Sequence, residues 1–153
     1  MALVQRMDLG LGSDRKFFAE WLLKQGFTFD TEAQPTTRTM ASGIGLVTGL
    51  TVYGETYLNN AGNIRIRLFT DTLFSVYQIQ TILSHPVTEE AGNFMAALKT
   101  IGYQLNNTYD NKVDRTRNRL LQKDGKSFRV IEAMDGTYLL VKAQRKDAYP
   151  VNH

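Results

Sequence analysis

Residues 88–105, TEEAGNFMAALKTIGYQL, constrain the fold most, because they read as a helix with both ends marked. Thr88 is placed as the N-cap, and Glu89 and Glu90 set negative charge at the positive end of the helix dipole. Ala91, Phe94, Met95, Leu98 and Ile101 recur every three or four residues, which makes one apolar stripe on a 3.6-residue repeat. Gly102 supplies a left-handed stop, and Tyr103 restarts the chain as an extended segment.

Residues 13–29, SDRKFFAEWLLKQGFTF, echo that pattern. Ser13 is placed to cap and Asp14 follows in the first turn. Phe17, Phe18, Trp21 and Leu22 form the stripe, Gly26 is the stop, and Phe27 follows it. One constant offset pairs Phe18 with Phe94, Leu22 with Leu98, Gly26 with Gly102 and Phe27 with Tyr103. The same offset pairs Gly49 with Gly125 and sets 50–58 against 126–134. Two explanations stand. Any helix that ends in glycine before a sheet resembles any other, or the chain is an α-β-β-β pseudo-repeat over 13–83 and 88–143. Both predict an α+β fold.

The intervening segments predict strands. Residues 1–12 read as a loose lead-in, and 27–30 alternates apolar and polar. Residues 31–37, with Pro35, read as a loop, and 38–49 give no clear signal. Residues 50–58 are rich in Thr, Val and Tyr, which favours strand. Asn59-Asn60-Ala61-Gly62 suits a hairpin turn. After it, Ile64, Ile66 and Leu68 alternate with Arg65, Arg67 and Phe69. Residues 72–83 read as a strand, with helix as the alternative, and His85-Pro86 breaks the chain. Residues 106–114 are polar and turn-prone. Residues 115–122 read as a strand with Arg115, Arg117 and Arg119 on one face, or as a short helix. The pair 127–134 and 137–143 flanks Asp135-Gly136, a strong two-residue hairpin signal. The tail from Gln144 is charged and reads as frayed.

These pieces assemble into a single domain over 1–153. In it, two helices pack on one face of a mostly antiparallel sheet of about six or seven strands. The other face then meets solvent, a ligand or a second copy. The length, 153 residues, suits one domain, and no low-complexity linker divides it.

There is no cysteine, which excludes disulfides and thiolate metal sites and fits a reducing, cytoplasmic location. Arg6 and Asp8 interrupt the apolar run that a signal peptide needs, and no stretch is long enough for a membrane span. The net charge is +3. Residues 1–76 carry seven basic and seven acidic side chains, and 77–153 carry eleven and eight, so the excess lies in the second half.

Catalytic signatures are not met. The glycine-rich run 43–49 has Thr48 where a dinucleotide loop needs glycine, and Leu50 follows Gly49 where a phosphate loop needs lysine. His85 and His153 do not make a triad or a zinc set. Asp110 with Asp114, and Glu132 with Asp135, are carboxylate pairs in turn-like contexts. Asp71 lacks the Glu-x-Lys partner of a nuclease cluster. No cofactor is implied. The sequence therefore predicts a non-catalytic binding protein. Arg65, Arg67, Arg115, Arg117, Arg119 and Arg129, interleaved with Tyr53 and Tyr57, suit a single-stranded nucleic acid. The alternative is a protein-interaction module that self-associates through its free sheet face.

Overall fold

A computed structural model describes residues 2–30, 36–41, 49–70, 75–86 and 88–145. The described elements are three helices and nine strands: α1 (Ala2–Gly10), α2 (Arg15–Lys24), β1 (Thr28–Phe29), β2 (Thr36–Ala41), β3 (Gly49–Leu58), β4 (Ile64–Thr70), β5 (Val76–Ser84), α3 (Glu90–Thr100), β6 (Gln104–Asn111), β7 (Thr116–Lys123), β8 (Lys126–Ala133) and β9 (Tyr138–Arg145). The fold is mixed α+β and mostly sheet. Every strand pairing is antiparallel, in the order β1-β3-β4-β5-β9-β8-β7-β6, with β2 also on β3. The strand that ends each meander, β5 or β9, lies against the other.

The helix ends follow local chemistry. Asp14, not Ser13, caps α2: its carboxylate accepts the Lys16 N–H at 2.8 Å. In α3 the cap is Glu89 rather than Thr88, and no side chain bonds the first turn. Both helices end alike. Gly26 (φ +90°) donates to the Leu23 carbonyl, and Phe27 to that of Leu22. Gly102 (φ +100°) donates to the Lys99 carbonyl, and Tyr103 to that of Leu98. These paired bonds satisfy carbonyls that the helix leaves open.

The constant offset does not carry from the helices into the sheet. It sets β3 against β8, yet β3 lies two strands from β5 while β8 neighbours β9. The two helices share their C-caps, and the strands follow a different spacing.

Several expectations need correction. Residues 2–10 are helical, not a lead-in. Val4, Met7 and Leu11 recur at helical spacing and are buried. The helices number three among the described residues, not two. Residues 104–111 form β6, not a turn. This edge strand is exposed along almost its whole length, so no apolar alternation marks it. Residues 116–123 resolve as strand, and Arg115 precedes that strand with φ +56°. In α2 the buried residues are Phe18, Ala19 and Leu22, whereas Phe17 is 70% exposed. Trp21, Met95 and Ile101 pack on the core without being enclosed by it. The loop expected at 31–37 lies mostly outside the described residues, but Thr36 and Thr37 belong to β2. Residues 42–48, 71–74 and 146–153 are also outside, and with them Asp71 and His153.

One apolar cluster holds the molecule together. Val4, Met7, Phe18, Leu22, Phe94 and Leu98 come from the helices, and Ile66, Leu68, Ile79, Val141, Val130, Phe128 and Leu121 from the sheet. The strand residues alternate in sequence and pair across the register: Leu68 with Ile79, Ile79 with Ala143, Ala143 with Phe128, and Phe128 with Leu121. Residues paired this way share a sheet face. Two polar clusters fix the helices to it. Arg15 of α2 donates to Glu55 at 2.8 Å, and the Tyr57 hydroxyl donates to the same carboxylate at 3.0 Å. Asp8 of α1 accepts from the Tyr103 hydroxyl at 2.6 Å, and Lys126 donates to its backbone carbonyl at 2.8 Å.

Candidate functional site

The positions between the core-facing residues lie on the opposite sheet face, and three register rows cross it from β3 to β6. The first runs Gly54, Phe69, Gln78, Gln144, Ser127, Gln122 and Gln104. The second runs Thr56, Arg67, Gln80, Lys142, Arg129, Leu120 and Asn107. The third runs Leu58, Arg65, Ile82, Leu140, Ile131, Asn118 and Tyr109. None of the apolar residues in these rows joins the core cluster.

The charge on this face is one-sided. The three rows contain Arg65, Arg67, Lys142 and Arg129, and no aspartate or glutamate. Three of the four share the middle row, where Arg67 and Arg129 are three strand spacings apart, about 14 Å. Arg65 is exposed, and Arg67, Lys142 and Arg129 are half-buried. Among the described residues, Arg65 and Arg67 make no ion pair. Arg129 donates to the Tyr109 hydroxyl at 2.6 Å, which holds a ring that is 38% exposed at the rim.

The strand acids lie on the core-facing side. Glu55 is in register with Leu68, and Glu132 with Leu139 and Arg117. Asp110 is in register with Arg117. They meet cations there: Arg117 with Asp110 at 3.0 Å, and Arg119 with Glu132 at 3.3 Å. The Asp110 carboxylate raises the Arg117 pKa through its hydrogen bond and its charge.

The eight residues anticipated from sequence thus divide. Arg65, Arg67 and Arg129 lie on one face, in register rows that hold no acidic side chain among the described residues. Arg117 and Arg119 lie on the other face, each bound to a carboxylate, and Arg115 sits in the turn before β7. Tyr57 is on the core-facing side and 3% exposed, so its ring is closed to any ligand. Burial, with the charge and hydrogen bond of Glu55, pushes its hydroxyl up to about 12. Tyr53 lies in β3, and its side chain is outside the described residues. Sequence reading missed Lys142 and Tyr109. The alternation of 138–145 was readable, but its face depends on the pairing of β9 with β5 and β8.

The carboxylates considered for catalysis have structural partners. Asp114 accepts the Thr116 hydroxyl at 2.6 Å. Asp135 accepts both the N–H and the hydroxyl of Thr137, and these bonds hold its pKa below the usual carboxylate value. A shallow pocket of about 390 Å³ between the start of α3 and the end of β8 includes Arg117, Glu132 and Tyr138. Its Glu132 is already engaged by Arg119. Among the described residues, no three His, Cys, Asp or Glu side chains are grouped to hold a metal ion. No helix among them is long and apolar enough to cross a membrane. No protein-family model, curated protein or solved structure matches the chain.

Proposed function

We propose that this protein is a non-catalytic binding protein that takes single-stranded nucleic acid across the sheet face opposite its helices. The observation that carries this reading is the sorting of charge. Among the described residues, four cations lie in adjacent register rows that hold no aspartate or glutamate, in a chain that holds fifteen acidic residues. A polyanion gains from each cation and meets no repulsion. The row of Ile82, Leu140 and Ile131, ending at Tyr109, offers half-buried aliphatic surface and a ring beside the basic row. Unpaired bases settle on such surface, whereas a duplex keeps its bases stacked inside.

The competing reading is self-association through the same face. It is disfavoured because two copies facing each other set four cations against four. The test is a fluorescence-anisotropy titration with a labelled mixed-sequence single strand over a range of salt. Four contacts at about 0.7 each give a slope of log affinity on log salt of about −3 at most. Failure to bind at low salt, where the electrostatic attraction is strongest, contradicts the proposal. A dimer by gel filtration at the same protein concentrations favours the self-association reading.

A further inference from the structure

We infer that a small cavity between α1, the start of α3 and the β4–β5 pair binds an organic ammonium ion with an apolar body. The site is independent of the nucleic-acid reading, since its residues lie outside the three rows of the basic face.

The floor of the cavity is the open end of the core. Leu3 of α1 and the register partners Ile64 and Leu83 pack against the core cluster, and Phe94 of α3 belongs to it. Together they line a space of about 310 Å³. That volume is at the low end for small-molecule sites, which enclose an apolar body and orient it with a few polar groups.

Two polar side chains at this cavity are left unused by the fold. Glu90, the first residue of α3, is half-buried, and His85 follows the end of β5. Among the described residues, no hydrogen bond or ion pair holds the Glu90 carboxylate or the His85 imidazole. Among them, too, the lining holds no lysine or arginine. The cavity therefore offers a negative charge at the edge of an apolar floor. A cation with an apolar body satisfies both: the body covers Phe94 and Leu83, while the ammonium N–H groups meet the carboxylate and a neutral imidazole. An acid of the same shape is repelled by the same carboxylate.

The backbone gives a second reason. His85 has φ +49° and precedes Pro86. A residue before proline is normally extended, and a left-handed residue other than glycine is costly. Two bonds pin the chain there: the Ser84 N–H donates to the Asn63 carbonyl at 3.0 Å, and the His85 N–H to the Thr137 carbonyl at 2.9 Å. Strain of this kind collects at ligand sites, and here it falls on the residue that brings an imidazole to the cavity.

The test is a titration of the isotope-labelled chain with phenethylammonium chloride, followed through its amide NMR signals. Phenylacetate is the comparison, an aryl ligand of similar size and opposite charge. The ammonium ion should give saturable shifts at Leu83, His85 and Glu90. It should bind at least about tenfold tighter than phenylacetate, the scale of one hydrogen bond to a charged group. Glu90→Gln should weaken its binding by a similar factor. Glu89→Gln removes the neighbouring charge from outside the lining and should leave binding nearly unchanged. Neither glutamate is buried and both substitutions keep the side-chain volume, so both variants should stay folded. Absence of saturable shifts, equal binding of phenylacetate, or equal losses from the two substitutions would each overturn this inference and leave the nucleic-acid reading standing.

Discussion

At the scale of single residues, two buried tyrosines are bonded to carboxylates, Tyr57 to Glu55 and Tyr103 to Asp8, and they leave a signature in alkali. Burial favours the neutral form of Tyr57 and raises its hydroxyl to about 12. Tyr103 is raised as well, first by burial and then by its bond to Asp8. Below the unfolded value, about 10, both states carry the proton and the stabilisation is fully present. As pH rises past 10 the unfolded chain ionises first, and the stabilisation is lost as pH passes the folded value. Urea midpoints should therefore fall between pH 9 and 11. In Tyr57→Phe that fall should be smaller, while the unfolding free energy at pH 8 drops by about 1 kcal/mol for the lost hydrogen bond. An unchanged pH profile in Tyr57→Phe would show that the hydroxyl is not held as described. Residue type suggested Tyr57 as a stacking ring, but a tyrosine suits a core and a binding face equally. Only its register partner Ile66, itself fully buried, decides between them.

At the scale of elements, glycines mark where the chain had to be small or turn sharply. Gly102 has φ +100°, and a Cβ there would meet Lys123 Cδ only at 3.6 Å. Gly102→Ala is thus strained by conformation rather than by crowding, and should cost about 1–2 kcal/mol in urea unfolding. Gly10 is the opposite case. A Cβ would come within 2.6 Å of Phe18 Cδ2, so Gly10→Ala should cost about 1–3 kcal/mol by pushing α1 away from α2. Leu98→Ala, at a fully buried position, should cost about 2–5 kcal/mol. These elements differ in how far the sequence exposed them. The glycine stops of α2 and α3 and the two hairpin turns, around Gly62 and Gly136, rest on residue chemistry and could be read directly. The first helix was hidden because Arg6, Asp8 and Gly10 interrupt its short stripe. The edge strand β6 was hidden because neither of its sides is buried enough to impose an alternation.

At the scale of the molecule, the two faces of one sheet differ in the charges they carry. A net charge of +3 says little, because it averages two unlike faces. The sequence showed that Arg65 and Arg67 share a side, and that Arg117 and Arg119 share one. It could not show that these sides are opposite, because that depends on the register from β4 through β5, β9 and β8 to β7. The decisive measurement compares two double variants of equal charge change, Arg67→Ala with Arg129→Ala and Arg117→Ala with Arg119→Ala, in one single-strand titration across salt. The first pair should weaken binding severalfold or more and lower the salt slope by about 1.4, two contacts at about 0.7 each. The second should leave both nearly unchanged, with urea midpoints confirming that each variant is folded. Equal losses from the two pairs would show that overall charge, not this face, holds the nucleic acid, and would contradict the account.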